Sequence, residues 1–112
     1  MNIQLFGKKK CFDTRKTERY FKERRIPFQS IDVAAYGMSR GEFESVKKAV
    51  GLEALLDTKS PLYLEKNLHK IRGADTIIEI LLENPRLFKT PIVRNGKQAT
   101  VGYQPDVWKT WE

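Results

Sequence analysis

One cysteine (Cys11) and one histidine (His69) are the only residues of their kinds among the 112 of this chain. A lone cysteine excludes an intramolecular disulfide, and with one histidine it cannot build a zinc site unless carboxylates join it. His69, in Asn67-Leu68-His69-Lys70, is distant in sequence from Cys11 and reads as a surface or packing residue. No apolar run approaches the roughly 20 residues of a membrane helix, so no membrane partner is expected. The segment Met1–Gly7 has no basic stretch leading into an apolar one, so no secretory leader is expected. The Gly-rich phosphate loop and the dinucleotide fingerprint are both missing, as are repeats and low-complexity stretches. What remains is 40% hydrophobic and 31% charged, the composition of a soluble globular protein. It is enough for one ordinary core, and a single domain over residues 1–112 in a reducing cytoplasm is expected.

Acidic residues are also in deficit. Against 14 of them stand 21 Lys and Arg, a net charge of +7. Much of the excess lies in Lys8, Lys9, Lys10, Arg15, Lys16, Arg19, Lys22, Arg24 and Arg25. Such a chain suits anionic partners: nucleic acid, an acidic protein surface or small oxyanions. The plainer reading is a solvated helix face. Nucleic acid is the weakest of the partners, because no aromatic reading element accompanies the charge.

Cys11 follows an apolar run (Ile3-Gln4-Leu5-Phe6), Gly7 and the three lysines, and a helix-like segment follows it. Strand, loop, cysteine, helix is an order that points a thiol at the free N–H groups and positive dipole end of a first turn. Lys8, Lys9, Lys10 and Arg15 should favour the thiolate further, with Asp13 opposing them. The alternative is a small buried hydrophobe.

Along the chain, residues 2–6 read as a strand ended by Gly7, and residues 14–25 as a helix with Tyr20 and Phe21 facing the core, stopped by Pro27. Residues 28–33 alternate as a half-buried strand. Ser39 and Glu42 form a capping box for a helix bearing Phe43, Val46 and Val50 up to Gly51. A short turn over 53–56, a loop at 57–61, weak helicity over 62–70 and a helix over 76–83 capped by Asp75 come next. Asn84-Pro85 ends that helix. Thr90-Pro91-Ile92-Val93 and Gln98–Val101 flank Asn95-Gly96, a strong hairpin signal. A final short helix carries Trp108 and Trp111, which are expected to pack on the sheet.

The order β-α-β, helical middle, α-β-β-α gives two parallel strands through a crossover and an antiparallel hairpin. The simplest assembly is an α/β, thioredoxin-like fold: a mixed four-stranded sheet flanked by helices, with a helical insertion before the C-terminal unit. Pro91 then opens the third strand beside Cys11, and a cis Thr90–Pro91 bond is predicted.

Cys11 with Arg15-Lys16, Ser39-Arg40-Gly41-Glu42-Phe43, Leu55-Leu56-Asp57-Thr58-Lys59, Asn84-Pro85-Arg86-Leu87 and Thr90-Pro91-Ile92-Val93 resemble, in order and spacing, the arsenate-reductase-like proteins of the thioredoxin superfamily. That group also includes the Spx-type regulators. The resemblance implies that Cys11 is a nucleophile and Arg15 its helix-borne support, with Lys8, Lys10, Lys59, Thr90 and Pro91 around the substrate. It implies no bound cofactor, glutathione as co-substrate, and glutathione or a glutaredoxin-like protein as reductant. The arginines that grip arsenate in such enzymes fall instead on Asp57, Thr90 and Tyr103, and Arg94 lies three residues beyond Pro91. A chain lacking those bidentate donors should hold arsenate weakly. Against the Spx-type pattern, Cys11-Phe12-Asp13-Thr14 has threonine in place of the second cysteine of a Cys-x-x-Cys switch. The readings, in order, are a thiol oxidoreductase of unknown substrate, a regulatory module docking on an acidic protein partner, and direct nucleic-acid binding.

Overall fold

The computed structural model describes residues 1–112. Its sheet is built on β1 (Ile3–Gly7), which pairs in parallel with β2 (Phe28–Asp32) and antiparallel with β3 (Ile92–Asn95). β3 pairs antiparallel with β4 (Gln98–Val101), giving the order β2-β1-β3-β4. This is the mixed four-stranded sheet that the sequence predicts, and both faces of its central strands are covered. Because side chains alternate along a strand, Ile3 and Leu5 join Val93 in one cluster while Phe6 joins Ile92 in the other.

The first cluster is closed by α1 (Phe12–Glu23) and α7 (Pro105–Lys109), which contribute Tyr20, Phe21 and Trp108. The second lies under the helical middle: α2 (Val33–Tyr36), α3 (Arg40–Val50), α4 (Leu52–Leu55), α5 (Pro61–Glu65) and α6 (Ala74–Glu83). Phe43 and Val46 of α3 and Ile78 and Leu81 of α6 are buried there. Single 3-10 turns at Leu68–Lys70 and Pro85–Leu87 complete the chain.

Three local expectations need correction. α1 begins at Phe12, two residues before position 14, with Cys11 itself as N-cap. β2 stops at Asp32, whose carboxylate accepts a hydrogen bond from the Ala35 N–H at 3.4 Å and starts the unforeseen turn α2. Asp75 is not a cap: α6 starts at Ala74 with Gly73 before it, and Asp75 sits in the first turn, where only the dipole rewards it.

The capping box at Ser39 is present and extends into a network. Glu42 N–H donates to Ser39 Oγ at 3.1 Å, and Ser39 N–H to Glu42 Oε1 at 3.0 Å. Gln4 of β1 donates to Glu42 Oε2 at 3.1 Å, and Arg94 of β3 donates to Gln4 Oε1 at 2.6 Å and to Ser45 Oγ at 3.1 Å. Burial pushes the Glu42 carboxyl up, but these bonds from Ser39 and Gln4 and the charge of Arg94 outweigh it, and its pKa is lowered. A carboxyl lowered by folding adds stability above its unfolded pKa of about 4.3 and loses it as pH falls through the folded value. Glu42→Gln should therefore be less stable than the parent at neutral pH, by about 0.5–1 kcal/mol, with a smaller gap at an acidic pH below about 4.3. Urea melts at the two pH values check this, and a gap that stays constant would exclude the linkage.

Candidate functional site

The loop from Gly7 to Cys11 runs off the C-terminal end of β1, and the Cys11 N–H donates to the Lys8 carbonyl at 3.1 Å. This turn places Sγ at the N-terminus of α1, half-buried, and 3.7 Å from the carbonyl oxygen of Thr90. The Thr90–Pro91 peptide is cis, as the sequence predicts. Pro91, expected around the substrate, is buried and does not line the cleft at Cys11, and its carbonyl accepts from Gly102 N–H at 2.8 Å.

Burial pushes the Cys11 thiol up. The polar groups of Thr14 and Thr90 and the backbone N–H groups of Thr14 and Asp13 around the sulfur more than offset it, and the pKa is lowered, although the one group within hydrogen-bond geometry of Sγ is the Thr90 carbonyl. The direction agrees with the sequence reading, but the cause differs. The lowering comes from the first turn of α1 and from Thr90, rather than from a cluster of lysines, and Asp13 helps through its backbone. Thr14, which the sequence reading did not single out as a site residue, is buried beside the thiol and contributes to this lowering.

Sγ opens into a cleft of about 360 Å³ lined by Lys8, Lys10, Cys11, Asp57, Lys89 and Thr90. Lys8 is anchored by donating its Nζ to the Arg86 carbonyl at 2.8 Å. Its own pKa is lowered by burial, against the opposing pull of Asp57 and Cys11. Asp57 and Lys89 reach the rim through an isolated bridge between Leu56 and Phe88. On either side of it Asp57 N–H donates to the Leu87 carbonyl and Lys89 N–H to the Leu55 carbonyl, both at 2.8 Å.

Of the predicted site residues, Lys8, Lys10, Cys11 and Thr90 meet at this cleft. Arg15 does not line it. Its guanidinium donates to the Lys9 carbonyl at 3.3 Å and borders a separate groove shared with Glu18, Asp32 and Tyr36. Lys59 is exposed outside the cleft, its N–H donating to Asp57 Oδ1 at 3.1 Å. Lys89 lines the cleft and was missed, although it directly precedes the predicted Thr90; the Leu56–Phe88 pairing sets it opposite Asp57. No arginine lines the cleft. Arg94 is engaged by Gln4 and Ser45, and Tyr103 packs edge-on against Trp108 at 5.6 Å with the Lys16 ammonium 4.2 Å from its ring centre.

Comparison with known proteins decides the family, since residues 6–111 match the profile described as the ArsC family. The chain belongs to the ArsC family. Its sequence is 27% identical over 109 residues to "Global transcriptional regulator Spx 2" of Oceanobacillus iheyensis, covering 95% of this chain and 80% of that protein. It is 24% identical to "Regulatory protein MgsR" of Bacillus subtilis, covering 92% and 84%. Among solved structures, arsenate reductase from Vibrio cholerae matches with a TM-score of 0.85 and 27% identity, over 96% of this chain and 94% of that one. This ArsC-family member thus has similarity both to proteins named as regulators and to one named as a reductase. No helix is long and apolar enough to cross a membrane.

Proposed function

We propose that this protein is a thiol-dependent oxidoreductase that works through Cys11 by disulfide exchange with glutathione. The observation that supports it is the lowered thiol held at the N-terminus of α1 beside Thr90 and open to a cationic cleft. The Cys11 thiolate attacks one sulfur of a disulfide, the S–S bond of that disulfide breaks, and its other half leaves as a thiolate. A mixed disulfide on Cys11 results. A second thiol, from glutathione or a glutaredoxin-like protein, then attacks the outer sulfur and releases Cys11 as thiolate, so the electron pairs and protons balance over the two exchanges. With no cysteine at position 14, the resolving thiol must come from outside the chain. Arsenate is a poor candidate substrate: charged hydrogen bonds are each worth about 1.5–3 kcal/mol, and no arginine lines the cleft to donate them.

The test is the rate of alkylation against pH, followed by mass spectrometry after exposure to glutathione disulfide. Alkylation should titrate below the ordinary ~8.5 of a cysteine, and a glutathione adduct should form that Cys11→Ser abolishes. A thiol that titrates at or above that value and forms no adduct would overturn the reading.

The names of the relatives favour a second reading, a regulatory protein that docks on an acidic partner without turnover. It differs in one observable: the partner captured by the parent would be retained by Cys11→Ser.

A further inference from the structure

We infer that the Cys11 cleft is built for a disulfide of amino-acid type, bearing one ammonium group and a larger number of carboxylates, as each half of glutathione disulfide does, in preference to a purely anionic ligand. This rests on the reading of Cys11 as a disulfide-exchanging thiol.

The cleft is lined by three lysines, Lys8, Lys10 and Lys89, and one acidic residue, Asp57, with the Lys8 ammonium held at the Arg86 carbonyl. A site meant only for a multivalent oxyanion has no use for that carboxylate, which repels such a ligand at close range. For a zwitterion it has one: it accepts the ligand's ammonium while the lysines take its carboxylates. The placement is firm. Backbone hydrogen bonds at 2.8 Å fix Asp57 and Lys89 on either side of the Leu56–Phe88 bridge, both of whose residues are buried. Lys8 is tied to Arg86 across the same mouth. Asp57 Oδ1 accepts from the Lys59 N–H, and the carboxylate forms no salt bridge within the chain. It is half-buried on the cleft wall, where its charge acts on Lys8 without a direct ion pair, and it is accessible to a ligand cation. The cleft's roughly 360 Å³ falls within the usual range for small-ligand sites.

Three disulfides test this with the same full chain at neutral pH: glutathione disulfide (ammonium and carboxylates), dithiodipropionate (carboxylates only) and hydroxyethyl disulfide (neutral). Rates are compared as ratios within each variant, which cancels any change in Cys11 ionisation. The parent should prefer glutathione disulfide to dithiodipropionate. Asp57→Asn should lower the rate on glutathione disulfide relative to the neutral disulfide by about tenfold, and raise that on dithiodipropionate, since a close charge pair of this kind is worth on the order of a tenfold factor. Asp57→Glu, which keeps the charge, should retain the parent's order of preference. If Asp57→Asn scales all three rates alike, the assignment of Asp57 is overturned while Cys11 keeps its role. If Cys11 reacts with none of the three, the exchange reading falls and this inference with it.

Discussion

Trp108→Ala should be the most destabilising single change in this protein, costing about 3–5 kcal/mol as large-aromatic truncations in cores do. Trp108 is 1% exposed and sits at the centre of an aromatic group, with ring centres 5.1 Å from Tyr20 and 5.2 Å from Phe21. Its indole N–H donates to Thr100 Oγ1 at 2.8 Å, a buried bond that ties α7 to β4. Truncation opens a cavity over the sheet and leaves the Thr100 hydroxyl without its donor, which adds to the transfer cost. Since a domain of this size typically has only about 5–15 kcal/mol in hand, thermal unfolding should move down by about 12–20 °C. Trp108→Phe separates the contributions, because it keeps most of the ring packing but still loses the hydrogen bond, so it should fall between. A melting temperature within a few degrees of the parent for Trp108→Ala would mean that α7 is not part of the cooperative core.

Much of this architecture is written in short-range patterns. The apolar run Ile3-Gln4-Leu5-Phe6, the Ser39–Glu42 box and the Asn95-Gly96 turn each specify a local geometry that the surroundings reinforce. The position of Cys11 was legible for the same reason, because a strand, a glycine and a helix in sequence leave few places for the residue between them. α2 was hidden because Asp32 reads equally well as the polar member of an alternating strand and as an N-cap; only the tertiary packing of Val33 decides it. The site was half legible. Its near side comes from the loop carrying Lys8 and Lys10, but its far side depends on residues 55–57 meeting residues 87–89, a contact with no signature in either segment. Arg15 shows the converse limit, since helical spacing puts it beside Cys11 in sequence while its side chain turns to a different groove.

Gly7→Ala should link fold and chemistry in one experiment. Gly7 is buried where β1 meets the first turn of α1, and a methyl group there would overlap Thr14 Cγ2 and lie 2.9 Å from Thr14 Oγ1. Thr14 is itself buried, so the clash cannot be relieved by swinging the side chain into solvent. The N-terminal turn of α1 must lift from β1, at a cost of about 1–3 kcal/mol for overpacking of this kind. That turn supplies the Thr14 hydroxyl and the Thr14 and Asp13 N–H groups that lower the Cys11 thiol. As they retreat, the thiol should move back towards its ordinary value of about 8.5, and alkylation near neutral pH should slow. The double variant Gly7→Ala/Thr14→Ala removes the clashing Cγ2 and Oγ1 together. It should recover most of the lost stability but not the reactivity, because the hydroxyl is gone. If Gly7→Ala is destabilised but leaves the alkylation profile in place, the first turn of α1 is not what holds the thiolate, and the lysines at the cleft mouth must be doing so instead.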